Sequence, residues 1–284
     1  DPGMYPKRLI VDEARQMGIA IAPLDVNASD SVYRVEDHGN AIRIALSTVA
    51  GISDGEVQSI IAGRPYIDLN DFVRRSGSST PITESMILTG AFDALHTGVN
   101  RRDLLLHFSD LQKSPSAAVS GAQMNLGFEP PALISSGLPA MSPAESVKYE
   151  VDRLGIDMSR HMIEFYGEFL NAIGAVRSSD LLKQRSQSSV LVAGIKVAMQ
   201  TPPVRSGKRV IFVTLDDGYG LSDSTFFTDV QGEYANVLYS TSLLLVRGIT
   251  RRTGARGISI RATGAWDLRA AYESWSTKQS TLAI

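Results

Sequence analysis

The chain has 284 residues, of which 43% are hydrophobic, so it is long and apolar enough for two packed domains. It contains no cysteine, which excludes disulfide scaffolds and thiolate metal sites and fits a reducing, cytoplasmic location. The formal net charge is −2, and no apolar run reaches the roughly 18–20 residues of a membrane helix, so no membrane partner is expected.

The first part of the chain has the apolar spacing of helices around one small sheet. A helix is predicted over 5–17, followed by a strand over 19–22 and a hairpin of strands 32–35 and 41–45. Four helices separated by glycine and proline are predicted next, at 54–62, 68–75, 82–89 and 101–109. An unpatterned stretch rich in proline, serine and glycine follows, and helices resume at 143–154 and 159–173.

After Ser189 the apolar period becomes that of strands. Five strands are predicted, at 190–197, 209–215, 224–227, 243–248 and 258–262. A helix at about 229–239 separates the third strand from the fourth. This order is that of an oligonucleotide/oligosaccharide-binding (OB) barrel, a five-stranded Greek-key fold. The predicted fold class is therefore α+β and multidomain, with a helical region followed by an OB-fold barrel.

Two glycine-containing corners resemble the turns of helix-hairpin-helix DNA-binding proteins. In the first, Gly51, Ile52, Ser53 and Gly55 precede a helix, whose N-terminal amides and dipole favour a phosphate. In the second, Gly90 lies between the helix at 82–89 and the helix that carries Arg101 and Arg102. Asp54 and Glu56 argue against the first site, and an ordinary glycine-capped helix connection explains either corner equally well.

The barrel segment is the basic part of the chain. Residues 185–269 hold 11 Lys and Arg against 6 Asp and Glu, whereas the rest of the chain holds 17 against 24. Such an asymmetry favours a polyanionic partner, although a solvated surface can also produce it. The cations predicted to bind DNA lie near the strand ends: Arg205, Lys208, Arg209, Arg247, Arg251 and Arg252, with Arg256 and Arg261 nearby. Of the candidate stacking residues Phe212, Phe226 and Phe227, we expect Phe212 or Phe227 to lie in the core.

The sequence holds no recognisable catalytic constellation. The four histidines are scattered, and a β-turn explains Asp216 and Asp217 better than a metal site does. No phosphate loop, nucleophile elbow or zinc pattern is present. We therefore predict no catalytic residue and no metal ligand in this chain.

Several strings together resemble the C-terminal part of bacterial family C DNA polymerases, the DNA polymerase III alpha subunit and its error-prone paralogues. The most specific string is 88–95 with Arg101 and Arg102. The other strings are 16–18 with 23–27, 44–52, 154–156 with 159–161, 215–218 and 246–248. Gln123, Leu126 and Phe128 stand where the family places its internal sliding-clamp-binding motif, although an apolar trio in a loop often packs on its own domain.

The resemblance implies a DNA-binding and clamp-tethering portion of a DNA-directed polymerase, replicative or error-prone (translesion synthesis, repair). Its partners would be duplex DNA, single-stranded template, the sliding clamp and other replisome or mutasome subunits. Since the chain begins at Asp1 without an initiator Met, we expect a segment of a longer protein. The family's palm aspartates and their Mg²⁺ would lie outside it, so this segment alone would be inactive.

The resemblance also implies a division into six parts. They are the end of the fingers region (1–50), a helix-hairpin-helix domain binding DNA or clamp (51–112), a linker with the clamp peptide (113–142), a helical connector (143–186), the OB-fold (187–270) and a tail (271–284). A different class of function remains open, a non-catalytic adaptor whose barrel binds protein partners.

Overall fold

In the computed structural model, the described residues are 7–113, 132–202, 209–252, 254 and 257–282. The chain forms two compact units, Asp1–Arg160 and His161–Ile284. The boundary between them falls inside the segment 143–186, which the sequence predicts as one connector, and the other predicted boundaries stay predictions. Within the described ranges, no helix has the length and apolarity to cross a membrane.

The first unit begins with a helix and a three-stranded sheet. Helix α1 (Lys7–Gln16) leads into β1 (Ala20–Ala22), which pairs in parallel with β3 (Ala41–Arg43). Strand β2 (Arg34–Glu36) pairs with the other edge of β3, antiparallel, as the predicted hairpin requires. The 3₁₀ turn Asp37–Gly39 joins the two strands.

Five helices complete the first unit. They are α2 (Asp54–Ala62), α3 (Leu69–Arg75), α4 (Thr80–Leu88), α5 (Arg101–Lys113) and α6 (Pro143–Leu154). Polar N-cap residues precede α2, α3, α4 and α6, although α4 begins at Thr80 rather than at the predicted residue 82. Ser142, for example, forms a capping box with Glu145 ahead of α6. The core of the unit centres on Phe72, whose ring meets Tyr66 and Phe92 edge to face at 4.9 Å.

The second unit is a closed barrel with helices around it. A 3₁₀ turn (Met162–Tyr166), α7 (Gly167–Ala172) and α8 (Ser178–Leu181) precede the barrel. Helix α9 (Thr228–Ser240) precedes the last two strands of the barrel, and helix α10 (Leu268–Leu282) follows them. An aromatic cluster of Tyr166, Phe169, Tyr272 and Trp275 packs α10 against α7 and the 3₁₀ turn. The segment predicted as a tail is thus helical over most of its length.

The barrel has the strand order β4-β5-β6-β8-β7 and closes on itself. Its strands are β4 (Ser189–Gln200), β5 (Ile211–Asp216), β6 (Leu221–Phe226), β7 (Leu243–Arg252) and β8 (Ile258–Asp267). Only the β6–β8 pair of the barrel is parallel, because a closed ring with an odd number of strands cannot have every neighbouring pair antiparallel. The interior is filled by alternate aliphatic residues and Phe226, all nearly inaccessible. The predicted α+β fold class with an OB-type barrel is confirmed.

Candidate nucleic-acid interface

The first glycine corner is exposed and is built around a left-handed residue. Gly51 has φ +82° and lies at the surface, between a 3₁₀ turn (Leu46–Thr48) and α2. A Cβ at this position would meet no atom closer than Ile82 Cδ1, at 4.0 Å. Glycine is therefore required here by the backbone conformation rather than by crowding. The buried neighbour Val49 and the bond from the Ala50 amide to the Arg153 carbonyl (2.8 Å) hold the turn in place.

Three backbone amides at this corner remain open. The N–H groups of Gly51, Asp54 and Gly55 have no acceptor among the residues that the structure describes. Two of them belong to the first turn of α2, where the helix dipole adds positive potential. An anion such as a backbone phosphate can bind at a group of amides of this kind.

A carboxylate occupies the rest of the corner. Glu56 Oε2 accepts the Ser53 amide (3.0 Å) and hydroxyl (2.8 Å), and Oε1 accepts the amide and hydroxyl of Ser79, the N-cap of α4. These bonds lower the pKa of Glu56 to about 2, and the bond from the Ser53 amide has the largest effect. Glu56 is thus ionised at neutral pH and joins the N-termini of two helices. The amide and hydroxyl of Ser53 serve this cap, and its contact with DNA stays a prediction.

The second corner is closed rather than open. Gly90 has φ +88° but is buried, and a Cβ there would collide with the guanidinium of Arg101. Arg101 donates to the Leu88 carbonyl (3.0 Å) and to Asp93 Oδ2 (2.6 Å). Arg102 pairs with Glu145 at 2.8 Å. The side chain of Arg101 thus bonds within the protein and covers Gly90, and the assignment of Gly90, Arg101 and Arg102 as DNA contacts stays a prediction.

The barrel aromatics divide differently from the expectation. Phe226 is fully buried in the barrel core, whereas Phe212 is 43% exposed and Phe227 is 37% exposed. The expectation that Phe212 or Phe227 is the core residue is wrong. Phe226 lies two residues after Ser224 on β6, so the two side chains are on the same face of the strand, and both are buried. Phe227 follows the end of β6 and begins α9, so both exposed rings are available for base stacking.

The outer surface of β7 and β8 carries the clustered cations. Ile249 lies opposite Arg261, and Arg251 lies opposite Ser259 in the β7–β8 register. The exposed Arg251 side chain has no hydrogen bond or ion pair with any residue that the structure describes. Arg261 lies over the Phe227 ring at 5.3 Å.

The other predicted cations vary in availability. Arg247 lies over the Trp266 ring at 5.3 Å, and Arg209 is exposed beside β5. Arg252 donates to the carbonyls of Leu182 and Gln184, which holds its guanidinium against the protein. Only Nη2 of this exposed side chain is engaged by these two carbonyls, and the DNA contact of Arg252 stays a prediction. Arg205, Lys208 and Arg256 lie outside the described residues, as do Gln123, Leu126 and Phe128.

A cleft of about 670 Å³ opens on this surface, at the end of β7 that carries Arg251. Its walls combine cations, one aromatic ring and hydroxyl groups: Arg251, Arg261, Phe227, Thr225, Thr228 and Ser259. Such a lining suits a sugar–phosphate chain with unstacked bases, because cations meet phosphates and rings meet bases.

Trp266 is the main element of this surface that sequence reasoning missed. Alternation along β8 from the exposed Arg261 and Thr263 would turn residue 265 outward and Trp266 inward. The register with β7 instead skips Thr263, so Ala265 is buried and Trp266 is 37% exposed. The only signal in the sequence is Gly264, over which the indole lies.

The comparisons with known proteins agree with this architecture. Residues 18–104 match the family model described as a helix-hairpin-helix motif. The chain is 29% identical to the error-prone DNA polymerase of Symbiobacterium thermophilum, over 91% of this chain and 28% of that protein. It is 27% identical to the DNA polymerase III subunit alpha of Escherichia coli, over 94% of this chain and 24% of that protein. The chain thus spans about a quarter of the length of the curated relatives it matches.

Solved structures resemble part of the chain at low sequence identity. A mitochondrial single-stranded DNA-binding protein of S. cerevisiae covers 29% of this chain, and the match includes 97% of that protein. The two are 14% identical, with a TM-score of 0.25. A score this low says nothing about what the barrel binds.

Proposed function

From its homology to a segment of the bacterial error-prone DNA polymerases and DNA polymerase III alpha subunits, we propose that this chain is the DNA-holding part of a DNA polymerase. The barrel would hold the single-stranded template, and the Gly51 corner would hold the backbone of the duplex. The observation that carries the proposal is the outer surface of β7 and β8, where two exposed aromatic rings each lie beside an arginine.

The chemistry of this surface favours single strands over duplex. Phe227 and Trp266 can stack only on bases that are unpaired and turned outward, and each stacked base contributes roughly 1–3 kcal/mol. Arg251 and Arg261 would meet phosphates, which are common to every sequence. Binding is therefore expected to be nearly independent of sequence and to weaken with salt.

The corner at Gly51 supports a weaker, backbone-directed contact with duplex DNA. Its three open amides provide donors, while Glu56 and Asp54 place negative charge beside them. We therefore assign the larger share of affinity to the barrel and a positioning role to the corner.

The remaining functions follow from the relatives and are part of the proposal. Gln123, Leu126 and Phe128 would tether the polymerase to its sliding clamp by filling an apolar pocket. Nucleotide transfer, with its Mg²⁺, would be carried out by another part of the same polymerase, in replicative or translesion synthesis. This segment alone would then bind DNA without catalysing synthesis.

The test is a titration of a labelled oligo(dT) strand, followed by fluorescence anisotropy, at roughly 50 and 200 mM salt. If three cations contact phosphates, affinity falls about 20-fold between these conditions, since the slope is about −0.7 per contact for single strands. Arg251→Glu should weaken binding strongly. Arg269→Glu makes the same charge change beside the start of β7, at the other end of that strand, and should have little effect.

Two results would defeat the proposal. One is the absence of binding at low salt by the wild-type chain. The other is equal binding by Arg251→Glu and wild type, which would favour the alternative of a barrel that binds protein partners.

A further inference from the structure

One of the arginines that line the cleft, Arg261, is already engaged by a carboxylate. Arg261 Nη2 lies 3.1 Å from Asp229 Oδ2, and both side chains are more than half exposed, at 57% and 58%. Asp229 belongs to the first turn of α9, two residues after its N-cap Phe227. Thr225 on β6 and Ile249 on β7 flank Arg261 in the two strand registers, so the ion pair sits within the proposed path of the strand.

We infer that Asp229 is an intramolecular competitor of the DNA phosphate for Arg261, and that it thereby limits how tightly the barrel holds single-stranded DNA. The inference rests on the proposed function. A phosphodiester that reaches Arg261 must displace the Asp229 carboxylate from the guanidinium or share the guanidinium with it. In either case the carboxylate remains near the phosphate, with a charge of the same sign.

The exposure of the pair makes it suited to this role. An ion pair open to solvent contributes little to folding stability, so it opens at little cost when a stronger acceptor arrives. Because Asp229 is fixed on a helix, it stays close and recaptures Arg261 when the phosphate leaves. A polymerase must let its template move past, and such a competitor shortens the residence of each phosphate.

The second acidic residue in the first two turns of α9 does not take the same position. Glu233 is hydrogen-bonded to Tyr234, whose pKa it raises, whereas Asp229 contacts Arg261 and lines the cleft. Arg251 also lines the cleft but has no carboxylate partner among the described residues. The competition is therefore specific to Arg261, and removal of Asp229 should affect binding only while Arg261 is present.

The experiment compares Asp229→Asn with wild type by anisotropy of the same oligo(dT) strand. Asp229→Asn should tighten binding about fivefold at low salt, and the gain should shrink as salt screens both the competition and the repulsion. Asp180→Asn is the matched control, because it also frees a cation, Lys183, from an exposed ion pair (2.6 Å) that lies outside the cleft lining. It should leave affinity within a factor of about two.

The double variant Asp229→Asn/Arg261→Gln tests the specific claim. It should bind as Arg261→Gln does, more weakly than wild type. The inference is overturned if wild type binds but Asp229→Asn does not tighten binding. It is equally overturned if Asp229→Asn tightens binding as much in the Arg261→Gln background, since the effect would then be general repulsion. Failure of wild type itself to bind would instead remove the proposed function, and the inference with it.

Discussion

Replacing each of the two corner glycines by alanine separates an open corner from a closed one. Gly51 and Gly90 have nearly the same left-handed backbone, with φ +82° and +88°. An alanine in this region costs about 1–2 kcal/mol, offset by about 0.4–1 kcal/mol because alanine restricts the unfolded chain. The backbone alone thus predicts a similar loss of about 0–1.6 kcal/mol at both positions.

The surroundings make the two substitutions unequal. At Gly90 the new Cβ would lie 2.7 Å from Arg101 Cζ and 2.8 Å from Asp93 Oδ2, so the guanidinium must move. This movement breaks the bond from Arg101 to the Leu88 carbonyl, and a bond with a charged donor contributes about 1.5–3 kcal/mol. Gly90→Ala should therefore lose about 1.5–4.6 kcal/mol of unfolding free energy, and Gly51→Ala about 0–1.6 kcal/mol.

Urea denaturation followed by far-UV circular dichroism measures both losses, with each unit fitted as its own transition. In an Arg101→Ala background, Gly90→Ala should lose only the unfolding free energy that the left-handed backbone costs, because the colliding guanidinium is gone. Equal losses for the two single variants, or an undiminished loss in the Arg101→Ala background, would refute the reasoning. Where both variants are folded, Gly51→Ala should weaken duplex binding and Gly90→Ala should not.

Two further predictions concern the cap at the open corner and the clamp peptide. Because the pKa of Glu56 is lowered from 4.5 to about 2, its ionised form stabilises the fold above about pH 4.5, and this share is lost as pH falls toward 2. In Glu56→Gln, the unfolding free energy should therefore decrease less between these pH values than it does in wild type. Glu84→Gln, which changes an exposed residue of α4, should behave as wild type does. An equal dependence of unfolding free energy on pH in Glu56→Gln and wild type would contradict this. Phe128→Ala should abolish capture of the chain by immobilised sliding clamp, while Asn125→Ala should preserve it; capture of the Phe128→Ala variant would remove the clamp motif.

The element boundaries were largely predictable because their signals are local. Alternation and glycine-rich separators predicted all five barrel strands, and the largest differences at their ends arise where β7 and β8 extend beyond their apolar cores. Capping residues such as Ser53 and Ser142 lie beside the helices they begin. The barrel fold followed from the order of these elements, since few topologies close five strands with one helix between the third and fourth.

The candidate site was less predictable because it depends on partners far apart in sequence. An arginine in the sequence does not show whether its donors will meet a carbonyl, a carboxylate or solvent. Arg252 meets Leu182 and Gln184, Arg102 meets Glu145, and Arg251 meets none of the described residues. Three similar side chains thus acquire different roles through packing alone.

The sequence by itself indicated most of the helices and strands, that five strands close into a barrel, and which family the chain resembles, because these depend on periodicity and local capping. Only the tertiary structure decided that Gly51 is open and Gly90 is covered, and that skipping one residue on β8 turns Trp266 outward. It also decided that Asp229 lies against Arg261, a pair 32 positions apart. The physical reason is that register and packing, rather than neighbouring residues, set which side chains meet.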